Sequence, residues 1–232
     1  MNAGVISGTS INHSKVFSEW DEAEVETEYG EVVVKQREGL VALNRHGFKR
    51  AMPPHRINHR ANVAALQSLG VKSVITLSSV GSVDPSLKPG AMVSCSDYIS
   101  FSPQTFVDDR MSAFAPVITN PHLVGISAAS QEPILTDKVY LQTRGPRFET
   151  RAEVRAIRML GADVVGMTFA NEADLLLERG MEVTSFCMVD NFAHGVSEQE
   201  LSLDAFQALV ASNQARIDDF LRLLVDYLLT RA

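Results

Sequence analysis

The chain has 232 residues, 45% hydrophobic and 21% charged, with 21 basic against 28 acidic side chains and a formal net charge of −7. That length suits one α/β domain with a sizeable core, and so apolar a composition excludes a disordered chain. A sequence pI of about 5.4 argues against broad nucleic-acid binding by phosphate neutralisation, while leaving room for local anion sites. Cys95 and Cys187 each sit in an apolar stretch and read as buried reduced thiols, which suits a cytoplasmic protein better than a disulfide framework or a zinc site. No apolar run approaches the roughly 20 residues that span a bilayer, and Met1-Asn2-Ala3-Gly4 lacks the pattern of a signal peptide. No membrane role is expected.

Short apolar or alternating runs predict strands at Gly4 to Ser7, Glu31 to Val34, Leu40 to Leu43, Ser73 to Leu77, Met92 to Ile99, Lys138 to Leu141, Asp163 to Gly166 and Val183 to Val189. Helical spacing falls between them, at Asn58 to Leu69, Arg151 to Leu160 and Asn171 to Arg179, and a long amphipathic helix is expected over Leu203 to Leu229. Gly70, Gly161 and Gly180 each follow a helical pattern, where glycine readily takes the left-handed conformation that ends a helix. Strand and helix therefore alternate, which predicts a single α/β domain over the whole chain with a central mixed sheet flanked by helices. The longest irregular stretch, about Ser100 to Asn120, is the candidate for a mobile or subunit-facing loop.

Ligands in such sheets bind where strands give way to loops, and polar residues gather at several such places. Gly8-Thr9-Ser10 combines close backbone approach with two hydroxyl donors, or forms an ordinary turn. Asn44-Arg45-His46-Gly47 brings a guanidinium fork and an imidazole, suited to a phosphate, or else sits at a plain surface loop. Ser78-Ser79-Val80-Gly81-Ser82 could hold an anion or a sugar, or make a serine-rich turn. In Arg144-Gly145-Pro146-Arg147-Phe148-Glu149-Thr150, Phe148 can stack on a planar ligand and Glu149 can accept from ring N–H groups. Thr150 with Glu153 reads equally as a capping box, and both readings can hold together. Asp190-Asn191 ends an apolar strand, with Asn191 able to donate and accept at a ring edge. His194 reads as a loop residue, and His55 and His59 as exposed helix-end residues. The sequence has no zinc-ligand spacing, Walker loop or Gly-x-Ser-x-Gly elbow.

Taken in order, Asn44-Arg45-His46-Gly47, Pro53-Pro54-His55-Arg56-Ile57-Asn58-His59-Arg60-Ala61-Asn62, Gly145-Pro146-Arg147-Phe148-Glu149-Thr150-Arg151-Ala152-Glu153 and Gly161-Ala162-Asp163-Val164-Val165-Gly166-Met167-Thr168 closely resemble the trimeric purine nucleoside phosphorylase and methylthioadenosine phosphorylase family. The resemblance runs from about Gly4 to Gly195. It implies a nucleoside phosphorylase-like fold and reversible phosphorolysis, in which phosphate attacks the anomeric carbon and releases a free purine and a pentose 1-phosphate, as in purine salvage. It matches Thr9, Arg45, His46, Ser79 and Thr168 to phosphate-binding positions, with Ser78 beside them. It matches Met167 to a residue against the ribose, Phe148 to one on the base, and Asn191 to the donor on the leaving purine. Asn191 and His46 are thus the expected catalytic residues, with no metal or organic cofactor and phosphate as co-substrate.

Glu149 paired with Asn191 is the combination the family associates with 6-oxopurines, and the chemistry agrees. A carboxylate accepts from the N1–H of hypoxanthine or guanine, whereas adenine has no such proton. The chain departs from the family at Gly8-Thr9-Ser10-Ile11-Asn12, which lacks a second glycine, at Arg50, where a histidine is usual, and at Asp190, where threonine is common. These departures keep a 5′-methylthioinosine or 5′-methylthioadenosine phosphorylase and a non-catalytic purine-binding paralogue as alternatives. The resemblance further implies a homotrimer, or a multiple of one, with Phe101 to Phe114 as the loop expected to cross the interface.

Overall fold

The computed structural model describes residues 2–8, 11, 14–49, 51–198 and 203–231, with side chains from 207 onward in the last segment. In chain order the elements are β1 (Ala3–Ser7), β2 (Asp21–Thr27), β3 (Gly30–Arg37), β4 (Leu40–Asn44), α1 (His59–Ser68), β5 (Ser73–Ser82), β6 (Met92–Ile99), α2 (Leu123–Ala129), β7 (Ile134–Gln142), α3 (Arg151–Met159), β8 (Val164–Gly166), α4 (Phe169–Glu178), β9 (Glu182–Phe192) and α5 (Leu203–Leu229). Among the described residues the strands form one mixed sheet in the order β2-β3-β4-β1-β5-β8-β7-β6-β9, and β9 also pairs back onto β5. The second half of the sheet therefore closes on itself, and β5 stands at the junction, parallel to β1 on one side and to β9 on the other.

Alternation along the strands divides the core into two layers. Ile6, Leu43, Val74 and Val183 turn toward α1 and α4, where they pack with Val63, Leu66, Phe169 and Leu176. Their neighbours Val5, Ala42, Ile75 and Phe186 face α5 and pack with Ile217, Leu221, Leu224 and Leu228. Such strands are buried on both faces, so they read as continuous apolar runs rather than alternating ones. The three helix-ending glycines take positive φ, +73° at Gly70, +90° at Gly161 and +68° at Gly180. The next N–H in each case reaches back to close the last turn, from Val71 to Leu66, Ala162 to Ile157 and Met181 to Leu176.

Several elements differ from the sequence expectation. Strand β5 runs on through Ser78 to Ser82 and β9 through Asp190 to Phe192, so both polar clusters lie within paired strands rather than in the turns that follow them. Their hydrogen bonds come from each other: Val80 pairs with Val189 and Gly81 with Asn191, which leaves Asp190 as the extra residue of a bulge. Helix α4 begins at Phe169, two residues before the apolar spacing suggests. Strand β2, Asp-Glu-Ala-Glu-Val-Glu-Thr, has too few apolar residues to be foreseen and forms as the outer partner of β3. Short α2 buries only Ile126, too little for a helical periodicity.

The irregular stretch beyond β6 is present as expected, but carboxylates of α4 hold its middle. The Gln104 N–H donates to Asp174 at 2.9 Å, while the Thr105 hydroxyl and the Phe106 N–H donate to Glu178 at 2.8 and 2.7 Å. Cys95 and Cys187 are buried and unbridged, as read from the sequence, with their Sγ atoms 4.0 Å apart. Among the described residues no helix is long and apolar enough to cross a membrane.

Candidate active site

A cavity of about 500 Å³ opens where β1, β4, β5, β8 and β9 end on one side of the sheet. Its wall includes Arg45, His46, Ser79, Phe148, Glu149, Met167, Thr168 and Asn191, which brings together residues scattered over most of the chain. Thr9 lies outside the described residues, as do Ser10, Asn12 and Arg50. Ser78 is not part of the wall. It is buried with its Oγ unpartnered, because neighbours in a strand point to opposite faces and Ser79 takes the cavity side.

The Arg45 guanidinium is almost entirely engaged within the fold, which corrects its reading as a fork open to an anion. Its Nε and Nη2 hold Glu172 at 2.6 and 3.0 Å, Nη1 donates to the Leu77 carbonyl at 2.9 Å and Nη2 to that of Ile6 at 3.3 Å. Four of its five N–H groups are thereby used, and the remaining one is on Nη1. That nitrogen faces Gly8, where a Cβ would lie 2.7 Å from it. Burial pushes the Glu172 carboxyl above its ordinary value, opposed by the charge and hydrogen bonds of Arg45. The pair is buried on both sides and contributes no net charge to the cavity.

His46 sits in a turn closed by Asn44, whose Oδ1 accepts from the His46 N–H at 3.0 Å and whose Nδ2 donates to the Gly47 carbonyl at 2.9 Å. Its Nδ1 lies 2.7 Å from the Met52 carbonyl. A carbonyl only accepts, so Nδ1 carries the proton and the neutral ring presents Nε2 toward Gly8. Burial lowers the imidazole pKa, the Met52 bond raises it and nearby Arg45 lowers it, with a net downward shift. His59 is buried rather than exposed, because the first turn of α1 faces α4. Its Nδ1 has no hydrogen-bond partner. Burial, Arg45 and His46 together lower its pKa to about 3.

Thr168 caps α4 without using its own hydroxyl for the cap. The Tyr140 hydroxyl, fully buried, accepts instead from the N–H groups of Thr168 and Phe169 at 3.0 and 3.3 Å, and Gln142 Oε1 accepts from Ala170 at 3.1 Å. The Thr168 hydroxyl is thus left for the cavity, at the positive end of a helix dipole. Gly166 makes room for this arrangement, since a Cβ there would overlap the Tyr140 ring and hydroxyl. Met167 lies with its Sδ over Gly145, leaving no space for a Cβ at that residue.

Thr150 and Glu153 form the expected capping box at the start of α3, and Glu149 is free to turn into the cavity wall. The Thr143 hydroxyl donates to Glu149 Oε1 at 2.7 Å, and the Glu149 side chain is otherwise enclosed, with only 7% of the residue exposed. Asn191 uses one Nδ2–H on the Phe192 carbonyl at 2.7 Å, which leaves the second N–H and Oδ1 for a ligand. Gly81 lies against it, and a Cβ there would come within 3.3 Å of Nδ2. His194, outside the cavity wall, contacts the Glu149 carbonyl through Nδ1 at 3.2 Å and accepts from Arg151 at 3.3 Å. That is a supporting contact, in keeping with its reading as a loop residue.

Glu172, Tyr140, Thr143 and Gln142 escaped the sequence reading. Glu172 left little trace, one of two carboxylates in the helical stretch Phe169 to Leu177. The others look like ordinary strand residues, and only the three-dimensional arrangement shows what they hold.

The sequence model described as phosphorylase superfamily matches residues 2–226. The chain belongs to the phosphorylase superfamily. Among other members, it is similar to the 6-oxopurine nucleoside phosphorylase of Pyrococcus furiosus, with 37% identity over 88% of this chain and 83% of that protein. It is also similar to a Methanocaldococcus jannaschii superfamily member named "Probable S-methyl-5'-thioinosine phosphorylase", with 35% identity over 87% of this chain and 75% of that one. Among solved structures, a methylthioadenosine phosphorylase sourced from an antarctic soil metagenomic library superposes with a TM-score of 0.76 and 25% identity, covering 97% of this chain and 86% of that one. The nucleoside phosphorylase-like fold expected from the sequence is therefore the fold found.

Two predictions test the electrostatic core of the site. Replacing Glu172 with Gln removes the counter-charge of a buried guanidinium, and urea denaturation should show a loss of about 3–5 kcal/mol. His59 has a folded pKa of about 3 against an ordinary 6.5, so the unfolded chain binds the proton more readily. Its contribution to stability is full above pH about 6.5 and is lost as pH falls toward about 3. Urea midpoints measured across that window should fall more steeply for the parent than for His59→Gln.

Proposed function

We propose that this superfamily enzyme is a pentosyltransferase acting by phosphorolysis on 6-oxopurine nucleosides of the inosine or guanosine type. The observation that carries the reading is one cavity wall that gathers Glu149 and Asn191 with Arg45, His46, Ser79 and Thr168; we read the first two as its purine end, and the others, with Arg45 Nη1 and His46 Nε2 beside Gly8, as its phosphate end. Phosphate held at that second end meets the anomeric carbon of a nucleoside whose base lies against Phe148 and whose ribose lies against Met167. Holding both reactants in one cavity makes the attack effectively intramolecular.

As the C–N bond breaks, the sugar gains oxocarbenium character and the purine takes the electron pair. The free N–H of Asn191 donates to O6 or N7 of the departing base, where negative charge develops. Glu149, oriented by Thr143, accepts from N1–H. An adenine in the same place offers no N1–H, leaving a buried carboxylate oxygen without a partner at a cost of about 1–3 kcal/mol or more. A phosphate oxygen closes on the anomeric carbon and gives pentose 1-phosphate. The reaction so written needs no metal or organic cofactor, since phosphate is the co-substrate. Thr9 is carried as a further phosphate ligand by family resemblance.

A 5′-methylthio substrate is the second reading, favoured by the run Ala51, Met52, Pro53 and Pro54 along the cavity wall. Such a surface accommodates a thioether, and a relative named for S-methyl-5'-thioinosine accords with it. We also propose a homotrimer in the cytoplasm, with the loop carrying exposed Phe101, Met111 and Phe114 at the subunit contact.

Phosphate-dependent release of free base from inosine, guanosine, adenosine and the two 5′-methylthio analogues tests the proposal. Hypoxanthine or guanine should appear while adenosine stays intact, and Glu149→Ala should lower kcat/KM on the 6-oxopurine substrate by about 10- to 100-fold. No phosphate-dependent release from any of the five would overturn the enzymatic reading in favour of a silent purine binder.

A further inference from the structure

Asp190 has no place in the reaction just described, yet it is buried beneath the phosphate end of the cavity with 0% of its surface exposed. The bulge between Val80 and Gly81 on β5 and their partners on β9 puts it there as an extra residue. Two groups face it. From β5 the Ser79 hydroxyl donates to its Oδ2, and from α5 the Asn213 amide donates to its Oδ1 at 2.9 Å. No charged group of the described residues acts on it from β5, β9 or α5. Burial raises its pKa, and the bonds from Ser79 and Asn213 lower it, with a net upward shift.

This arrangement sets Ser79 a contradictory task. A hydroxyl has one proton to donate, and Ser79 gives it to Asp190. Facing a phosphate dianion in the cavity, it then presents only lone pairs, with an uncompensated carboxylate directly behind. Two anionic groups on either side of one hydroxyl, in a poorly solvated place, cannot both stay fully ionised at low cost.

Building on the phosphate site proposed above, we infer that Asp190 is a proton-linked positioning residue, taking up one proton from solvent when phosphate binds and so reversing the hydrogen bond to Ser79. The carboxyl O–H on Oδ2 then donates to Ser79 Oγ, the Ser79 O–H swings to a phosphate oxygen, and Asn213 continues to donate to Oδ1. One proton enters, no other bond changes, and Ser79 becomes a donor only when an anion is present to receive it. The substitution Asp190→Asn imitates the protonated acid. Its Nδ2–H donates to Ser79 and its Oδ1 accepts from Asn213, with no proton required.

The test is phosphate binding by calorimetry at one mildly alkaline pH, in buffers of different ionisation enthalpy, on the parent, Asp190→Asn and Ser79→Ala. His46 and phosphate itself also titrate, so the comparison is the difference in proton count between the proteins rather than the parent's count alone. The parent should take up about one proton more per phosphate than Asp190→Asn. Its KM for phosphate should also climb with pH about tenfold more per unit than that of the variant. Asp190→Asn should retain phosphate binding where Asp190→Ala loses it, and Ser79→Ala, with no hydroxyl to turn, should bind phosphate more weakly than Asp190→Asn. Equal proton counts in parent and Asp190→Asn, with phosphate still bound, would overturn the inference and leave the phosphate site standing. So would an Asp190→Asn variant as defective as Asp190→Ala. A parent that binds no phosphate would overturn both.

Discussion

The buried pair between Arg45 and Glu172 is the constraint on which the cavity depends. Arg45 leaves the end of β4, and its guanidinium reaches carbonyls at the end of β1 and within β5 before meeting a carboxylate of α4. One side chain thus locks three parallel strands and a helix in register. Two desolvated charges seldom contribute much net stability, because their attraction mainly offsets lost hydration. The benefit here is geometric. With Glu172 and the Leu77 and Ile6 carbonyls taking four of its five N–H groups, the one remaining N–H has a fixed direction and the guanidinium charge is already paired.

Around that anchor the same device recurs, in which a side chain or a backbone carbonyl engages one part of a polar group so that the rest points inward. Met52 holds His46 Nδ1, and Nε2 turns to the cavity. Tyr140 takes the N–H groups at the start of α4, and the Thr168 hydroxyl is spared from capping. Thr143 holds one oxygen of Glu149, and the Phe192 carbonyl one N–H of Asn191. These four groups are therefore oriented before any ligand arrives, which lowers the entropy lost on binding. Glycine enters where space is the limit, at Gly8 against the guanidinium and at Gly166 against Tyr140.

Much of this was legible in the chain. Helix ends marked by Gly70, Gly161 and Gly180, and the capping box of Thr150 and Glu153, follow from local backbone chemistry, and local rules survive folding. Arg45, His46, Ser79, Glu149 and Asn191 stood out because polar residues at the ends of apolar runs need a reason. What stayed hidden depends on contacts distant in sequence. Nothing near Arg45 shows that its partner is Glu172, 127 residues away. Nothing near His59 shows that the first turn of α1 is covered by α4. Ser78 and Ser79 are equivalent as sequence and opposite as structure, because the strand continues where a turn was expected and its alternation decides which hydroxyl sees the cavity. Asp190 is displaced by a bulge, and a single inserted residue leaves no mark in periodicity.

A crystal structure of the protein with inorganic phosphate and hypoxanthine would examine the cavity most directly. The expected result is an anion beside Gly8, within reach of Arg45 Nη1, His46 Nε2, Ser79 and Thr168, with the Arg45 fork still on Glu172 and the purine between Glu149 and Asn191. A guanidinium that leaves Glu172 to grip the phosphate with two N–H groups, or a purine bound away from Glu149, would contradict it.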